Sequence, residues 1–584
     1  MGRFFLIVGI AASLFAQGVA TRGVRPAPRG KPSGIPFAAR LVDVAEPVGL
    51  AEPVIYGGVD RRDYILETTG TGIAFLDFDN DGWLDLFVPS GTRFNLAPQP
   101  SNRLYRNTGK GKFVDVTERA GLVRGGWASG IAVADYDNDG WDDLYLTYWG
   151  QNVLYRNQGD GSFKDVTESA GLIRAGRHWG TGAAFFDYDR DGHLDLFVTY
   201  YLDFDPSKIP KPGEPGQCNW KGVAVNCGPR GLPAVKPRLY HNNGNGVFED
   251  VTEKSGISKA AAAYGLTAVT ADLDEDGWLD VYVACDSTPS QLFINQRDGT
   301  FVEAALESGL AVSDDGLEQA GMGLALGDYN RDGRLDIFKT NFADDTNNLY
   351  KNLGKRQFSE AAAKAGLAVE TRFVSWGAGM PDLDNDGWPD IFYVTGHVFP
   401  ELERTLPAYP HRGPRIIFRS LGEGRFEELL DPAPHHSSRG AAFGDFDNDG
   451  DLDIAIMNMN APPSLLRNEL LEAEANVGDA DVRSNNSSRH WLKVRLVGSR
   501  SPRTPIGATV TAKYGGLPQV QVLLSQASYL SVNDPRLHFG LGSAKEADLE
   551  IVWPSGEREV LRSVAGNQLV TIREGKGIVK TERF

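Results

Sequence analysis

Asp77-Phe78-Asp79-Asn80-Asp81-Gly82-Trp83-Leu84-Asp85 decides how this chain is read, because the same nine-residue pattern returns six more times. The copies start at Asp135, Asp187, Asp272, Asp328, Asp382 and Asp445, at spacings of 58, 52, 85, 56, 54 and 63 residues. A period in the fifties with two longer intervals is one structural unit repeated, with insertions in the third and sixth copies.

Working outward, a small-residue-rich apolar run (Gly72-Ile73-Ala74-Phe75-Leu76) precedes the loop and another (Leu86-Phe87-Val88) follows it. Next come Asn102-Arg103-Leu104-Tyr105-Arg106-Asn107, a Gly turn at 108–111, and Phe113-Val114-Asp115-Val116-Thr117, before Ala120-Gly121-Leu122 closes the unit. Alternating runs joined by Gly turns are hairpins. Four short antiparallel strands per unit predict an all-β chain, a seven-bladed β-propeller with calcium-binding loops followed by a small β-sandwich-like domain. The seventh unit lacks its fourth strand, and Arg40-Leu41-Val42-Asp43-Val44-Ala45 carries that pattern at the other end of the chain. The N-terminal strand is therefore expected to complete the last blade and cover the sheet edges. The expected division is a signal peptide (1–20), a linker (21–36), the propeller (37–468), a polar linker (469–489) and the β-sandwich (490–576).

The 584 residues carry 59 Lys+Arg against 77 Asp+Glu, a formal charge of −18, with 41% hydrophobic residues. This is a folding composition, and its acidity argues against nucleic acid as a partner. Arg3, the apolar run from Phe4 to Ala16 and the small residues Gly18-Val19-Ala20 read as a secretory signal cleaved after Ala20. That run is too short to span a bilayer, which needs about 20 residues. The protein is thus expected to be secreted, extracellular or periplasmic, with no membrane insertion after cleavage. Of three cysteines, Cys218 and Cys227 are expected to close a local disulfide loop, leaving Cys285 as a buried inert thiol. Asn485-Asn486-Ser487-Ser488 offers an N-glycosylation pattern.

The repeats resemble FG-GAP/VCBS-type propeller units, related to those of the integrin α-subunit head. Ile506-Gly507-Ala508, Ser528-Tyr529-Leu530-Ser531, Asp534 to Gly542 and Trp553-Pro554-Ser555-Gly556 resemble an ASPIC/UnbV domain. Together they are similar in architecture to the cartilage-acidic-protein-like family. The resemblance implies a ligand face opposite the acidic loops, and is far more specific for architecture than for activity.

Carboxylates at positions 1, 3, 5 and 9, a bend-permitting Gly at 6 and a free carbonyl at 7 suit a hard, oxygen-seeking cation. The expected ligands are Asp77, Asp79, Asp81, Trp83 and Asp85; Asp135, Asp137, Asp139, Trp141 and Asp143; Asp187, Asp189, Asp191, His193 and Asp195; and Asp272, Asp274, Asp276, Trp278 and Asp280. They continue with Asp328, Asn330, Asp332, Arg334 and Asp336; Asp382, Asp384, Asp386, Trp388 and Asp390; and Asp445, Asp447, Asp449, Asp451 and Asp453. Position 7 contributes only its carbonyl. Two carboxylates about 4 Å apart repel by roughly 4 kcal/mol at an effective dielectric near 20, so ion-free loops strain their hairpins. Seven Ca²⁺ sites are expected, the fifth weakest because Asn330 removes a charge. Filled, they would offset most of the formal charge.

Strand direction puts the acidic loops and Gly turns on one face and the two insertions, 200–237 and 397–415, on the other. That second face is expected to gather Trp127, Tyr148, Trp149, His178, Trp179, Tyr200, Tyr201, Tyr264, Asp286, Asn341, Trp376, His397, Arg439 and Asn458 around a shallow depression. The function expected is recognition of an extracellular glycan or protein without chemistry. The alternatives are a carbohydrate-active lyase or dehydratase, with His397, His178 and Arg439 as first candidates for its acid and base, or a structural envelope or matrix component. His435-His436 reads as a polar connection and His538 as a hydrogen-bonding residue within the C-terminal domain. No nucleophile-elbow, zinc-protease or phosphate-loop motif is evident.

Overall fold

The computed structural model describes residues 18–430, 434–470 and 489–584. The apolar run of the expected signal, most of the polar linker and the glycosylation pattern lie outside the described residues.

Every acidic loop joins the first two strands of a four-stranded antiparallel unit. In the first, Ala74–Leu76, Asp85–Val88, Arg103–Asn107 and Phe113–Asp115 pair in chain order. The inner strands are wholly buried, whereas the outermost buries Phe113 and exposes Val114 and Asp115. The seventh unit, Ser438–Gly444, Asp453–Asn458 and Ser464–Asn468, takes its fourth strand from the other end of the chain. Leu41 pairs with Asn468 and Asp43 with Leu466.

Small residues on the inner strands let neighbouring units touch at the axis. A Cβ on Gly440 would lie 2.7 Å from the Cα of Gly72, so the last unit abuts the first. Gly440 N–H donates to Thr71 O (3.1 Å) and Gly72 N–H to Ser129 O (2.9 Å), continuing the ring. The architecture is a β-propeller.

Residues 21–36 form an extended strap rather than a free linker. Val24 N–H donates to Asp344 O, Ala27 N–H to Ala368 O, and Arg29 pairs with Glu428 and Glu370. Cys218 and Cys227 are disulfide-bonded, and Cys285 is buried and free.

The C-terminal region forms eight strands in two four-stranded sheets. Arg558–Ala565 and Gly577–Glu582 lie at sheet edges, and their apolar residues are largely exposed. The larger surprise is residues 523–536, which run along the propeller axis. Phe75 N–H donates to Val532 O (3.0 Å), Ile131 N–H to Leu530 O (3.2 Å), Val133 N–H to Ser525 O (3.2 Å), and Leu324 and Ser528 exchange both bonds (2.6 and 2.7 Å). Inner-strand edges that usually face an axial channel thus bond to this segment, as buried backbone groups require. The approach is close: a Cβ on Gly72 would meet Leu530 O at 1.7 Å. Tyr529, fully buried, ends the plug edge-on to Trp376 at 4.9 Å.

Tyr529 also separates packing from polarity, since its buried hydroxyl has no partner. Tyr529→Ala should cost about 3–5 kcal/mol, read as a lower urea midpoint. Tyr529→Phe should be neutral or stabilising because it deletes an unpaired polar atom. Equal losses for both variants would contradict this packing account.

Candidate metal centres

Each acidic loop is organised by its own backbone. The position-1 carboxylate accepts from the N–H groups at 5 and 6: Asp81 and Gly82 donate to Asp77 at 2.9 and 3.0 Å, and the same pair of bonds recurs in all seven loops. Position 5 accepts from the N–H of position 7, as in Trp83 to Asp81 (3.0 Å). Gly at 6 has positive φ throughout, and so does position 4: Asn80, Asn138, Arg190, Glu275, Arg331, Asn385 and Asn448. Asn at four of these seven places was the sequence signal for that left-handed turn.

The result is a converging set of oxygens. Ligand atoms of Asp77, Asp79 and Asp81, of Asp135, Asp137 and Asp143, of Asp187, Asp189 and Asp191, and of Asp272, Asp274 and Asp276 lie within 4.8 Å of one another. At position 3, one oxygen each of Asp79, Asp137, Asp189 and Asp447 is buried without a hydrogen-bond partner. An unpaired buried carboxylate oxygen is costly unless a cation takes it, so these residues fit a hard divalent ion. In the fifth loop Asn330 Oδ1 accepts from Asp332 N–H (3.0 Å), as Asp274 accepts from Asp276 N–H in the fourth (3.2 Å), and the Asn330 amide nitrogen is unpaired.

Burial, reinforced by the neighbouring carboxylates, pushes these acids up. Position 1 rises to about 6 at Asp77 and Asp272 and to about 7 at Asp135, Asp187 and Asp328. Position 9 rises further, to about 9 at Asp85 and about 8 at Asp195 and Asp336.

Two sets of residues around the loops were missed. The third strand carries a basic side chain facing its own loop: Arg106 bonds Asp79 and Asp81 at 2.5 Å, Arg156 bonds Asp137 at 2.6 Å, and Lys351 reaches Asp332 at 3.0 Å. In the third unit it is His241, 3.0 Å from Asp195, and that bond raises the imidazole to about 9. In the fourth, Ile294 stands there and Arg297 reaches Asp276 at 2.7 Å instead. The next residue is a buried Asn that latches neighbouring units. Its N–H donates to the position-9 Asp of its own loop, and its side chain donates to a carbonyl of the preceding one: Asn157 to Phe78 O (2.9 Å), Asn242 to Tyr136 O (2.9 Å), Asn468 to Leu383 O (2.7 Å). Asn107 donates to Phe446 O (2.9 Å), carrying the latch from the last unit to the first. The Asn that closes the third strand in six of seven units, preceded by Arg in the first, second and seventh, was the available signal; Ser420 stands in its place in the sixth.

Two family models match this chain: "FG-GAP-like repeat" over residues 77–146, 135–198, 231–283 and 272–339, and "ASPIC and UnbV" over 498–579. The chain belongs to the family that joins these two modules. Human Cartilage acidic protein 1 is 29% identical over 369 residues, covering 60% of this chain and 49% of the human protein. The mouse protein is 27% identical over 541 residues, covering 86% and 73%. The chain spans about half the length of the human relative it matches. Among solved structures, an Agrocybe aegerita lectin described as recognising non-reducing terminal N-acetylglucosamine shows 17% identity and a TM-score of 0.33, covering 62% of this chain and 80% of its own. The sixth and seventh acidic loops lie beyond the matched FG-GAP ranges yet repeat the same hydrogen bonds.

The ASPIC/UnbV module sits on the acidic-loop face with cations turned towards it. Arg489 pairs with Asp384 (2.7 Å), Arg503 approaches Asp135 (3.7 Å) and Arg495 approaches Asp77 (3.9 Å). At the seventh loop Lys493 bonds Asp445 with both side chains fully buried, and burial lowers the lysine. Arg536 adds a bond to Asp445 O (2.8 Å). The seventh loop therefore already holds a side-chain cation that no reading of the loop alone reveals. His538 bonds across the module boundary to Asn385 (2.8 Å) rather than within its own domain.

The second face is not an open depression. Of the fourteen residues expected there, Trp127, Tyr148, Trp179, Tyr200, Tyr201, Tyr264, Asp286, Asn341, Trp376, His397, Arg439 and Asn458 are buried; Trp149 and His178 keep partial exposure. The insertions cover them. Phe204 packs on Trp149 and Trp179 (5.6 and 5.7 Å), Trp220 on His397 (4.8 Å), and Tyr409 on Trp220 (5.0 Å). Burial pushes His397 down to about 3, so it is neutral at ordinary pH. The Arg439 guanidinium is spent on Thr68 O, Ser438 O and Gly396 O.

Two expectations follow for the loops. If the loops take Ca²⁺ with a Kd near 0.1 mM in about 1 mM Ca²⁺, each filled site would contribute about 1.4 kcal/mol and the expected seven on the order of 10 kcal/mol. Chelation should therefore lower the melting temperature by about 10 °C or more, and an unchanged curve in EDTA refutes calcium dependence. The pH response should invert with the ion. In ion-free protein the raised carboxyls contribute stability that is present at low pH and lost as pH rises through about 6 to 9. With Ca²⁺, whose ligands must be deprotonated, stability should rise across that window; parallel pH–melting profiles in EDTA and in calcium would contradict the assignment.

Proposed function

We propose that this protein is an exported, calcium-loaded seven-bladed propeller that recognises an extracellular glycan or protein ligand on the face opposite the acidic loops. The observation that carries this reading is how the fold spends its surfaces. The acidic-loop face receives the ASPIC/UnbV module, the axis is plugged by residues 523–536, and the insertions build up the remaining face. Two open clefts on that face flank residues 58–63. One, of about 520 Å³, is lined by Arg404, His411, Arg412, His435 and His436; the other, of about 460 Å³, by Tyr64, Arg93, Phe94 and Lys211. His435-His436 thus lines a cleft rather than only connecting strands.

In the second cleft Tyr64 and Phe94 meet edge to face at 5.2 Å, and the Lys211 ammonium lies 5.4 Å from the Tyr64 ring centre. An aromatic wall with a cation and the nearby Glu67 and Arg93 suits a hydroxyl-rich or acidic ligand: rings cover its apolar face while the polar groups fix its orientation. Among the described residues no helix is long and apolar enough to cross a membrane. In this reading the acidic loops serve stability, and the charge of −18 is offset by bound ions rather than by a basic partner.

A glycan and protein array run in calcium, followed by turnover assays on the hits, tests this. Binding without product, weakened about tenfold or more by Phe94→Ala combined with Lys211→Ala, is the expected outcome. Product formation would make the protein an enzyme, and neither binding nor product would leave a structural role.

A further inference from the structure

The segment around the expected cleavage point is built into the second face. Ala20 is 2% exposed and its N–H donates to Ser287 Oγ (2.8 Å). Ser287 Oγ in turn donates to Asp286 Oδ1 (2.8 Å), and the other Asp286 oxygen accepts from Tyr201. Val19 lines an apolar cavity with Ile65, Leu266, Met322, Trp376 and Phe399. Gly18 O accepts from Arg230 N–H (3.4 Å), and the chain passes so close to Gly228 that a Cβ there would lie 2.7 Å from the Gly18 carbonyl carbon.

From Thr21 onward the strap is held by separate contacts. Thr21 Oγ1 donates to Ala343 O (3.0 Å), and Arg22 is gripped by Asp345 (2.7 Å), Thr346 (2.8 Å) and Asp315 (3.2 Å). Asp345 is almost fully buried, so this charge pair is shielded from salt. Cutting between Ala20 and Thr21 therefore leaves the strap anchored while freeing the three residues before it.

We propose that hydrolysis of the Ala20–Thr21 bond converts the slot filled by Gly18-Val19-Ala20 into a binding site for the free carboxylate end of a peptide whose last residues are small and aliphatic. The proposal rests on the export part of the functional reading. Water supplies the hydroxyl that makes Ala20 a carboxylic acid and the proton that makes Thr21 an amine, both ionised at neutral pH. Without residues 18–20 the slot keeps an apolar wall and the Ser287 hydroxyl, and it gains a new α-ammonium on Thr21, the residue between Ala20, which bonds Ser287, and Arg22, which bonds Asp345.

A peptide carboxylate seated where Ala20 lay meets that ammonium in a charge-assisted hydrogen bond. Its last N–H donates to Ser287, and its penultimate side chain fills the space of Val19. The enclosure of Ala20 restricts the final residue to small side chains, and the contact at Gly228 demands an extended backbone without lateral bulk. The leader's own end is the template for the ligand.

The test uses the exported full-length protein in calcium, with its start checked by intact mass. Calorimetric titration with acetyl-Gly-Val-Ala free acid should give saturable binding. The C-terminal amide should bind at least tenfold more weakly, because it lacks the charge that pairs with Thr21, and acetyl-Gly-Val-Trp acid should not bind. Chain retaining residues 1–20 should bind none of the three, and Ser287→Ala should weaken the free acid without moving the melting temperature by more than a few degrees. A protein starting at Thr21 that binds acid and amide equally, or neither, overturns the site. A protein starting elsewhere overturns the cleavage premise, and the mass measurement tells that failure from the first.

Discussion

Carboxylate crowding is the constraint from which the rest of the structure follows. Six of the seven units turn their first hairpin with acids at positions 1, 3, 5 and 9 of the loop, and the fifth does so with three acids and Asn330, most of these side chains being withdrawn from water. Backbone N–H groups satisfy position 1, a latch residue satisfies position 9, and position 3 retains an oxygen with no protein donor in four loops. Such an oxygen is one that a divalent cation would take. It also explains why basic third-strand residues and the cations of the ASPIC/UnbV module cluster on this face: side chains take whatever part of the charge an ion does not.

The same groups tie the units to one another. The carboxylate that closes a loop accepts from the backbone of the latch Asn, and the side chain of that Asn grips the preceding loop, so deforming one loop strains two units. The axial segment works at the opposite end of the inner strands. It offers backbone partners to edges that would otherwise face a solvent channel, and its buried contacts merge propeller and sandwich residues into shared cores, Leu279 and Phe185 lying in one cluster with Val510 and Trp553. Propeller and module therefore share a buried core.

This merger also governs where recognition is possible. Tyr529 meets Trp376 from the axial segment, Val19 lines the apolar cavity beside Trp376, and the two insertions roof the aromatic residues of the second face. Residues that look like an exposed binding set become the floor of a packed layer. What remains accessible lies to the side, in the clefts beside residues 58–63.

By itself the sequence determined the repeat, the loop chemistry and the fold class, because each depends on local order: carboxylates at fixed spacing, Gly where the backbone must turn left-handed, small residues on strands that approach an axis. Asn330 and the missing fourth strand of the last unit were equally legible, being departures from a pattern the chain itself supplies. The tertiary structure alone decided the rest. That Ser525 to Asp534 run down the axis, that Lys493 sits in the seventh loop, and that Trp376 and Arg439 are buried all depend on contacts between residues far apart in sequence. No periodicity announces such contacts, because burial belongs to the neighbours a residue acquires on folding, not to the residue.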